Sequence, residues 1–313
     1  MRERAKPFYV VLAIAAALVV PAAIALRSVI HPATLQRASD NPTPLGYTWS
    51  LLLFIVPIVA LAWWFACRPD LIFPRKAFWR TIAVLAPLGF LLDLLFGNTF
   101  FIFQNKAATL GCDIPALGGG IPIEEFIFYL TGFMLVLLSY IWCDEYWMAA
   151  YNVPDYTAAV KGVSRIVHFH FASVVLGVAL IAAAVIYRKF LSGGAEGFPW
   201  YFVYLVCASL IPSAGFFHTA RDFINWRAFS FTFFLLLLIS LLWEVTLALP
   251  YGWWEYRPGS LMGLHIGAWF GLPIEAVCVW LAVSFTTIIT YEVIKIWKAL
   301  GARALEAFFG IRK

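Results

Sequence analysis

Two short acidic stretches interrupt a chain that otherwise carries little charge. Pro122-Ile-Glu124-Glu125 follows Gly118-Gly119-Gly120, and Pro273-Ile-Glu275-Ala276 follows Gly271 in the later part of the chain. Each has a further acid upstream. Asp93 lies in Gly89-Phe-Leu-Leu-Asp-Leu-Leu-Phe96, and Glu244 in Leu241-Leu-Trp-Glu-Val-Thr-Leu247. Neither has a basic residue within reach along its own helix, and burial without such a partner disfavours the charged form. A carboxyl held neutral can donate a proton or a hydrogen bond at neutral pH, so these five acids offer general acid and base chemistry. Plainer readings stand beside this one. Pro-x-Glu also starts helices, because proline lacks an N–H there at no cost and a carboxylate complements the dipole. Asp93 and Glu244 could simply fix helix packing through hydrogen bonds.

Aromatic loops separate the paired acids. The first is Phe100-Phe-Ile-Phe103-Gln-Asn-Lys106 and the second Tyr251-Gly-Trp253-Trp254-Glu-Tyr256-Arg257. Residue by residue, such aromatics fit the belt at a membrane interface. Their electron-rich faces also stabilise cations. Phe100, Phe103, Phe128, Trp253, Trp254 and Tyr256 are therefore the candidate binding residues. A pocket joining neutral acids to aromatic faces suits carbocation chemistry on an apolar polyene.

The elements that must hold these residues are membrane helices. Of 313 residues, 63% are hydrophobic and 12% charged, against about 25% charged in soluble domains. Apolar runs long enough to cross the bilayer, about 20 residues each, fall near 8–28, 47–66, 79–97, 122–143, 168–187, 200–218, 229–249 and 272–295. The expected fold is an all-α polytopic membrane protein of about eight spans. The run at 8–28 is too long for a signal peptide's apolar core and lacks a good cleavage site, so it reads as a retained helix. Lysine and arginine crowd one set of ends and loops, including Arg2, Arg4, Lys6, Arg75, Lys76, Arg80, Lys295, Lys298, Arg312 and Lys313. By the positive-inside rule both termini face the cytoplasm of a cell membrane. The net charge of +5 is this fringe, suited to anionic lipid headgroups, and requires no nucleic acid.

An internal repeat appears at an offset of 151 residues. Pro122-Ile-Glu124 matches Pro273-Ile-Glu275, Gly120 matches Gly271, Asp93 matches Glu244, and Tyr140 matches Tyr291. The register runs without a gap from about Lys76 to Tyr140. The organisation read from it is a first repeat at 1–143, with 8–28 as an extra helix, a cytoplasmic connector at 144–167, a second repeat at 168–298 and a basic tail at 299–313. Two four-helix units with an even number of spans share one orientation.

Gly-Gly-Ile-Pro-Ile-Glu124-Glu125-Phe-Ile-Phe128 resembles the Pro-x-Glu-(Glu/Asp) signature of the membrane-embedded lycopene cyclases, in the form where two domains are fused in tandem. The resemblance covers about 47–147 and 200–298. It implies cyclisation of the acyclic ends of lycopene to β or ε rings without net redox change, with no cofactor. It implies Glu124 and Glu275 as the essential acids, and Glu125, Asp93 and Glu244 as relay, base or support. Ala276 departs from the signature, so the two halves are not equivalent. The expected partners are the polyene and membrane lipid, with a homo-oligomer or other carotenoid enzymes left open. No metal is expected: Cys67, Cys112, Cys143, Cys207 and Cys278 are scattered, His168 and His170 are two apart, and His218 and His265 are isolated. There is no GxGxxG after a strand, hence no dinucleotide site of that kind. A proton-coupled carrier built of tandem repeats, or a non-catalytic subunit, is the alternative.

Overall fold

The computed structural model describes residues 43–71, 73–153, 158–160, 171–191, 198–301 and 303–309, with 12, 13, 16, 20, 21, 24 and 27 as isolated positions. Apart from those positions, the span expected at 8–28 lies outside the described residues. So do His168, His170 and much of the connector.

The protein is an all-α polytopic membrane protein. Among the described residues six helices are long and apolar enough to cross a membrane: α1 (Gly46–Ala66), α2 (Arg75–Phe100), α3 (Ile123–Trp147), α5 (Trp200–Ala220), α6 (Trp226–Ala248) and α7 (Glu275–Leu300). Two shorter helices are α4 (Phe171–Ile186) and α8 (Ala304–Phe309). Runs of Leu, Phe, Ile and Ala fold this way in lipid because a helix satisfies its own backbone groups where no water can.

Helices α3 and α7 form the centre. Of their apolar windows 67% and 56% are buried, against at most 33% in the other four spans. They pack on each other, and both α2 and α6 pack on the pair. Then α1 covers α3, α5 covers α7, and α4 lies outside on α5. Positions 151 apart meet at both ends of this core. Gln104 Nε2 donates to Glu255 Oε2 at 2.7 Å. The rings of Tyr140 and Tyr291 lie 6.0 Å apart, edge to face. Lys295 Nζ stands 3.5 Å from Asp144 Oδ2. Equivalent residues touch in this way when two copies face each other across a twofold axis along the helices. Asp144, expected at the start of a polar connector, is instead buried in the last turn of α3.

The short strands among the described residues lie at one end, where α2 and α6 finish and α3 and α7 begin. β1 (Phe101–Ile102) pairs with β4 (Glu255–Tyr256), joining the two halves. β2 (Asp113–Ala116) pairs with β3 (Gly119–Pro122), and β5 (His265–Ile266) pairs with β6 (Leu272–Pro273). The β2–β3 turn needs Gly118, whose φ of 89° is costly for any residue with a side chain. Each of these two ribbons runs directly into the Pro-Ile-Glu start of a central helix.

Candidate active site

Adjacent residues on a helix point about 100° apart, and this separates the two glutamates of the first motif. Glu124 turns toward the loops. Its Oε1 accepts hydrogen bonds from Thr48 Oγ1 and from the backbone N–H of Leu110, both at 2.6 Å. Glu275 does the same in the second half, its Oε1 accepting the backbone N–H of Met262 at 2.5 Å. Both side chains are fully buried. Each fastens the loop before its ribbon to the first turn of its helix.

Glu125 turns the other way, into a cavity between the two halves. The empty space in and around it, open solvent at its mouth included, is about 610 Å³. Its α3 wall is Glu125, Phe128, Tyr129, Gly132 and Phe133. The spacing i, i+4, i+7, i+8 of Glu125, Tyr129, Gly132 and Phe133 is one helix face. The α7 wall is Val279, Trp280 and Val283, and α6 contributes Trp243 and Glu244. Phe101, Tyr201, Trp254 and Tyr256 close the ribbon end. Both halves therefore build one cavity, and Glu125 and Glu244 are the acids on its wall.

The two acids are held differently. Tyr47, a fully buried residue of α1, donates its phenol to Glu125 Oε2 at 2.5 Å. Glu125 itself lines the cavity, and among the described residues no hydrogen bond reaches its Oε1. Glu244 accepts at both oxygens: Tyr256 donates to Oε2 at 2.5 Å, and Ser240, one turn earlier on α6, donates to Oε1 at 2.8 Å. Ser240 is fixed in turn by the indole N–H of Trp280. Burial holds the Tyr256 phenol well above the usual tyrosine range, and the neighbouring Glu244 adds to this. Tyr256 is therefore a neutral donor throughout the physiological range. Glu244 begins a π-helical turn, Glu244–Ala248, a local widening that often accompanies functional sites.

Asp93 is the next acid back. It is buried on α2, and neither of its oxygens has a well-formed hydrogen bond among the described residues, although Tyr129 stands beside it. Equivalent in sequence to Glu244, it lies outside the cavity wall.

Aromatic rings surround the two cavity acids. Phe128 lies 4.7 Å from Trp243 and 5.8 Å from Trp280, and Trp254 lies 4.5 Å from Trp243. A second network backs them: Trp243 Nε1 donates to Ser50 Oγ at 2.7 Å, and Ser50 donates to the carbonyl of Tyr47. Of the six aromatic residues singled out in the sequence, Phe128, Trp254 and Tyr256 line the cavity. Phe100 is buried in a ring cluster with Tyr201 and Tyr204. Phe103 packs on Phe101, and Trp253 stacks on Tyr47 while donating to Thr43. Sequence reasoning missed Tyr47, Tyr129, Tyr201, Ser240, Trp243 and Trp280. The helical face running from Glu125 would have found Tyr129. Ser240, one turn before Glu244 on α6, could have been found from that acid in the same way, whereas Tyr47, Tyr201, Trp243 and Trp280 are brought in only by packing.

A family model described as lycopene cyclase matches residues 46–143 and 199–294. The two segments hold α1–α3 and α5–α7 but for the last residues of α3 and α7, and every residue of the cavity wall falls within them. No curated protein and no solved structure matches the chain.

Proposed function

Because the chain belongs to the lycopene cyclase family, we propose that it closes the acyclic ends of lycopene into rings by proton-initiated cyclisation, with Glu125 and Glu244 as the proton-handling pair. One observation carries this reading: two carboxyls, one from each half, face a shared apolar cavity walled by aromatic rings.

The chemistry balances without a cofactor. A proton adds to the terminal double bond of the polyene and leaves a tertiary cation. The π electrons of a neighbouring double bond attack that cation, forming the carbon–carbon bond that closes a six-membered ring and moving the charge onto the ring. Loss of a ring proton restores a double bond. One proton enters, one leaves, and no electron is exchanged with the surroundings, so the reaction is an isomerisation.

The hydrogen bonds divide the roles. Glu125 lines the cavity with one oxygen engaged by Tyr47 and, among the described residues, no hydrogen bond to the other, so its carboxyl proton can reach the polyene end. Glu244 receives two donated hydrogen bonds, which favour a carboxylate. It serves as counter-charge to the cation and as the base that takes the ring proton. Asp93 relays the return proton to Glu125, and Glu244 gives up the proton it took to water at the cavity mouth, so both carboxyls begin the next turnover as before. Phe128, Trp243, Trp254 and Trp280 add aromatic faces, each worth about 0.5–2 kcal/mol to a nearby cation, and keep water from quenching it. Glu124 and Glu275 act in support, as anchors of the loops that close the ribbon end. Both termini lie on the cytoplasmic side of a cell membrane.

Pigment analysis tests this. The chain and its variants are expressed in a bacterium that accumulates lycopene, and the extracted carotenoids are separated. Wild type gives cyclic carotenoids, and Glu125→Gln and Glu244→Gln leave lycopene at normal expression. Glu124→Gln and Glu275→Gln retain cyclic product at reduced yield. Cyclic product at wild-type yield from Glu125→Gln overturns the assignment of the acid.

A further inference from the structure

Glycine in the middle of a helix needs a reason, because alanine fits a helix better. Three glycines of the described helices have one. A Cβ on Gly97 would lie 2.6 Å from Asp93 Oδ1, one on Gly177 would lie 2.4 Å from the carbonyl oxygen of Cys207, and one on Gly89 would press on Phe133 at 3.2 Å. Gly132 differs. It is buried in the middle of α3, yet the nearest atom to a Cβ there is Trp280 Cη2 at 3.9 Å, an ordinary contact. Packing does not require glycine at 132. The space that a side chain would fill is the cavity itself, whose wall includes Gly132.

Position 132 also stands at a telling depth. It is seven residues beyond Glu125 on the same helix face, about 10 Å at 1.5 Å per residue. That is farther from the proton donor than the width of one six-membered ring. What passes Gly132 when a polyene end sits between Glu125 and Glu244 is the conjugated chain behind the ring. Trp280 of α7 faces Gly132, and Val283 of α7 lines the same cavity. Val283 is the repeat equivalent of Gly132, 151 residues later, so only the α3 wall is opened by a glycine at this point.

We infer that the part of the cavity between α3 and α7 beside Gly132 receives the flat conjugated chain of the substrate, and that the absent side chain at Gly132 sets its width there and so selects for a planar polyene tail. This rests on the cyclase reading and adds to it a residue that decides which molecules enter.

The experiment uses the full chain in liposomes, with lycopene as the probe and three readouts: kcat/KM for ring formation, the visible circular dichroism induced in bound lycopene, and the thermal midpoint. One methylene of misfit in an apolar pocket is worth about 10–200-fold in specificity. Gly132→Ala is expected to lower kcat/KM by about tenfold while the midpoint holds or rises. Gly132→Leu is expected to lose both induced dichroism and cyclic product, with an unchanged far-ultraviolet spectrum. Glu125→Gln keeps the dichroism and loses only the product. A Gly132→Leu protein that binds and cyclises lycopene like wild type overturns this role for Gly132. A lowered midpoint in Gly132→Ala shows that the glycine serves packing, and overturns it as well. Wild type that neither binds nor cyclises lycopene overturns the cyclase reading itself, a result distinct from the other two.

Discussion

Removing one oxygen atom, in Tyr256→Phe, probes the division of labour between the two cavity acids. The phenol of Tyr256 donates to Glu244 Oε2 at 2.5 Å, and Ser240 holds the other oxygen. The ring itself packs on Phe101 at 5.4 Å and on Tyr201 at 6.1 Å, and phenylalanine keeps both contacts. What is lost is one hydrogen bond to a carboxylate, worth about 1.5–3 kcal/mol. At about 1.4 kcal/mol per factor of ten, that is about 10- to 150-fold if the whole bond acts on the transition state. Because Ser240 remains, the lower end is expected: kcat/KM for ring formation in proteoliposomes falls about tenfold, at constant protein and lipid. Ser240→Ala lowers it too, and the double variant departs from the product of the two effects, since both donors serve one carboxylate. A Tyr256→Phe enzyme within twofold of wild type refutes the idea that Glu244 works as a held carboxylate. A second signature comes from pH. The native phenol keeps its proton above the ordinary tyrosine value, so the folded chain binds that proton more tightly than the unfolded one. The associated stability is fully present below about pH 10 and is lost as pH rises beyond it. The thermal midpoint of wild type therefore falls above pH 10 more steeply than that of Tyr256→Phe, and parallel curves exclude the buried phenol as the cause.

Two further changes test what holds the frame. Glu124→Ala removes the acceptor for Thr48 Oγ1 and for the Leu110 N–H, and is expected to cost about 1–3 kcal/mol of stability. Thermal unfolding in detergent reads this, and an unchanged midpoint excludes the anchoring role. Lys295→Met strips the ammonium that stands 3.5 Å from Asp144, Glu145 and Glu292 at once. With Asp144 and Glu292 buried, the loss is about 3–5 kcal/mol, and in the same unfolding assay a variant as stable as wild type shows that the cluster is neutralised some other way.

The sequence made the membrane helices, the 151-residue register and the acids legible, because each is a local property: hydropathy over twenty residues, a repeated word, a charge among leucines. The choice among the acids was less accessible. Glu124 and Glu125 are neighbours in the chain and read alike, yet the 100° between them sends one to a loop and the other to the cavity. The helical face Glu125-Tyr129-Gly132-Phe133 was there to be read. Tyr47 and Trp280 carried no signal, since a tyrosine at a helix start and a tryptophan among valines and alanines look like belt and core. Asp93 and Glu244 are equivalent by repeat and unequal in place. The sequence shows that the halves differ, with Ala276 where Glu125 has its equivalent, but that Glu244 lines the cavity and Asp93 does not appears only when the halves are packed together. The pairing of Phe101 with Tyr256 is likewise beyond any local pattern.

The contact between Asp144 and Lys295 also bears on how the halves choose each other. These residues occupy the same place in the two repeats and meet where the central helices cross their own equivalents. Two copies of the first half would set Asp144 against Asp144, and two copies of the second would set Lys295 against Lys295. Either juxtaposition is repulsive in a buried setting, whereas the mixed pair attracts, so discrimination comes from the wrong pairings as much as from the right one. Cut within the segment between Val153 and Phe171, the chain would yield two fragments that reassemble with one another in preference to themselves. The charge written at this one position makes the assembly a heterodimer in its chemistry, even while a single chain carries both members.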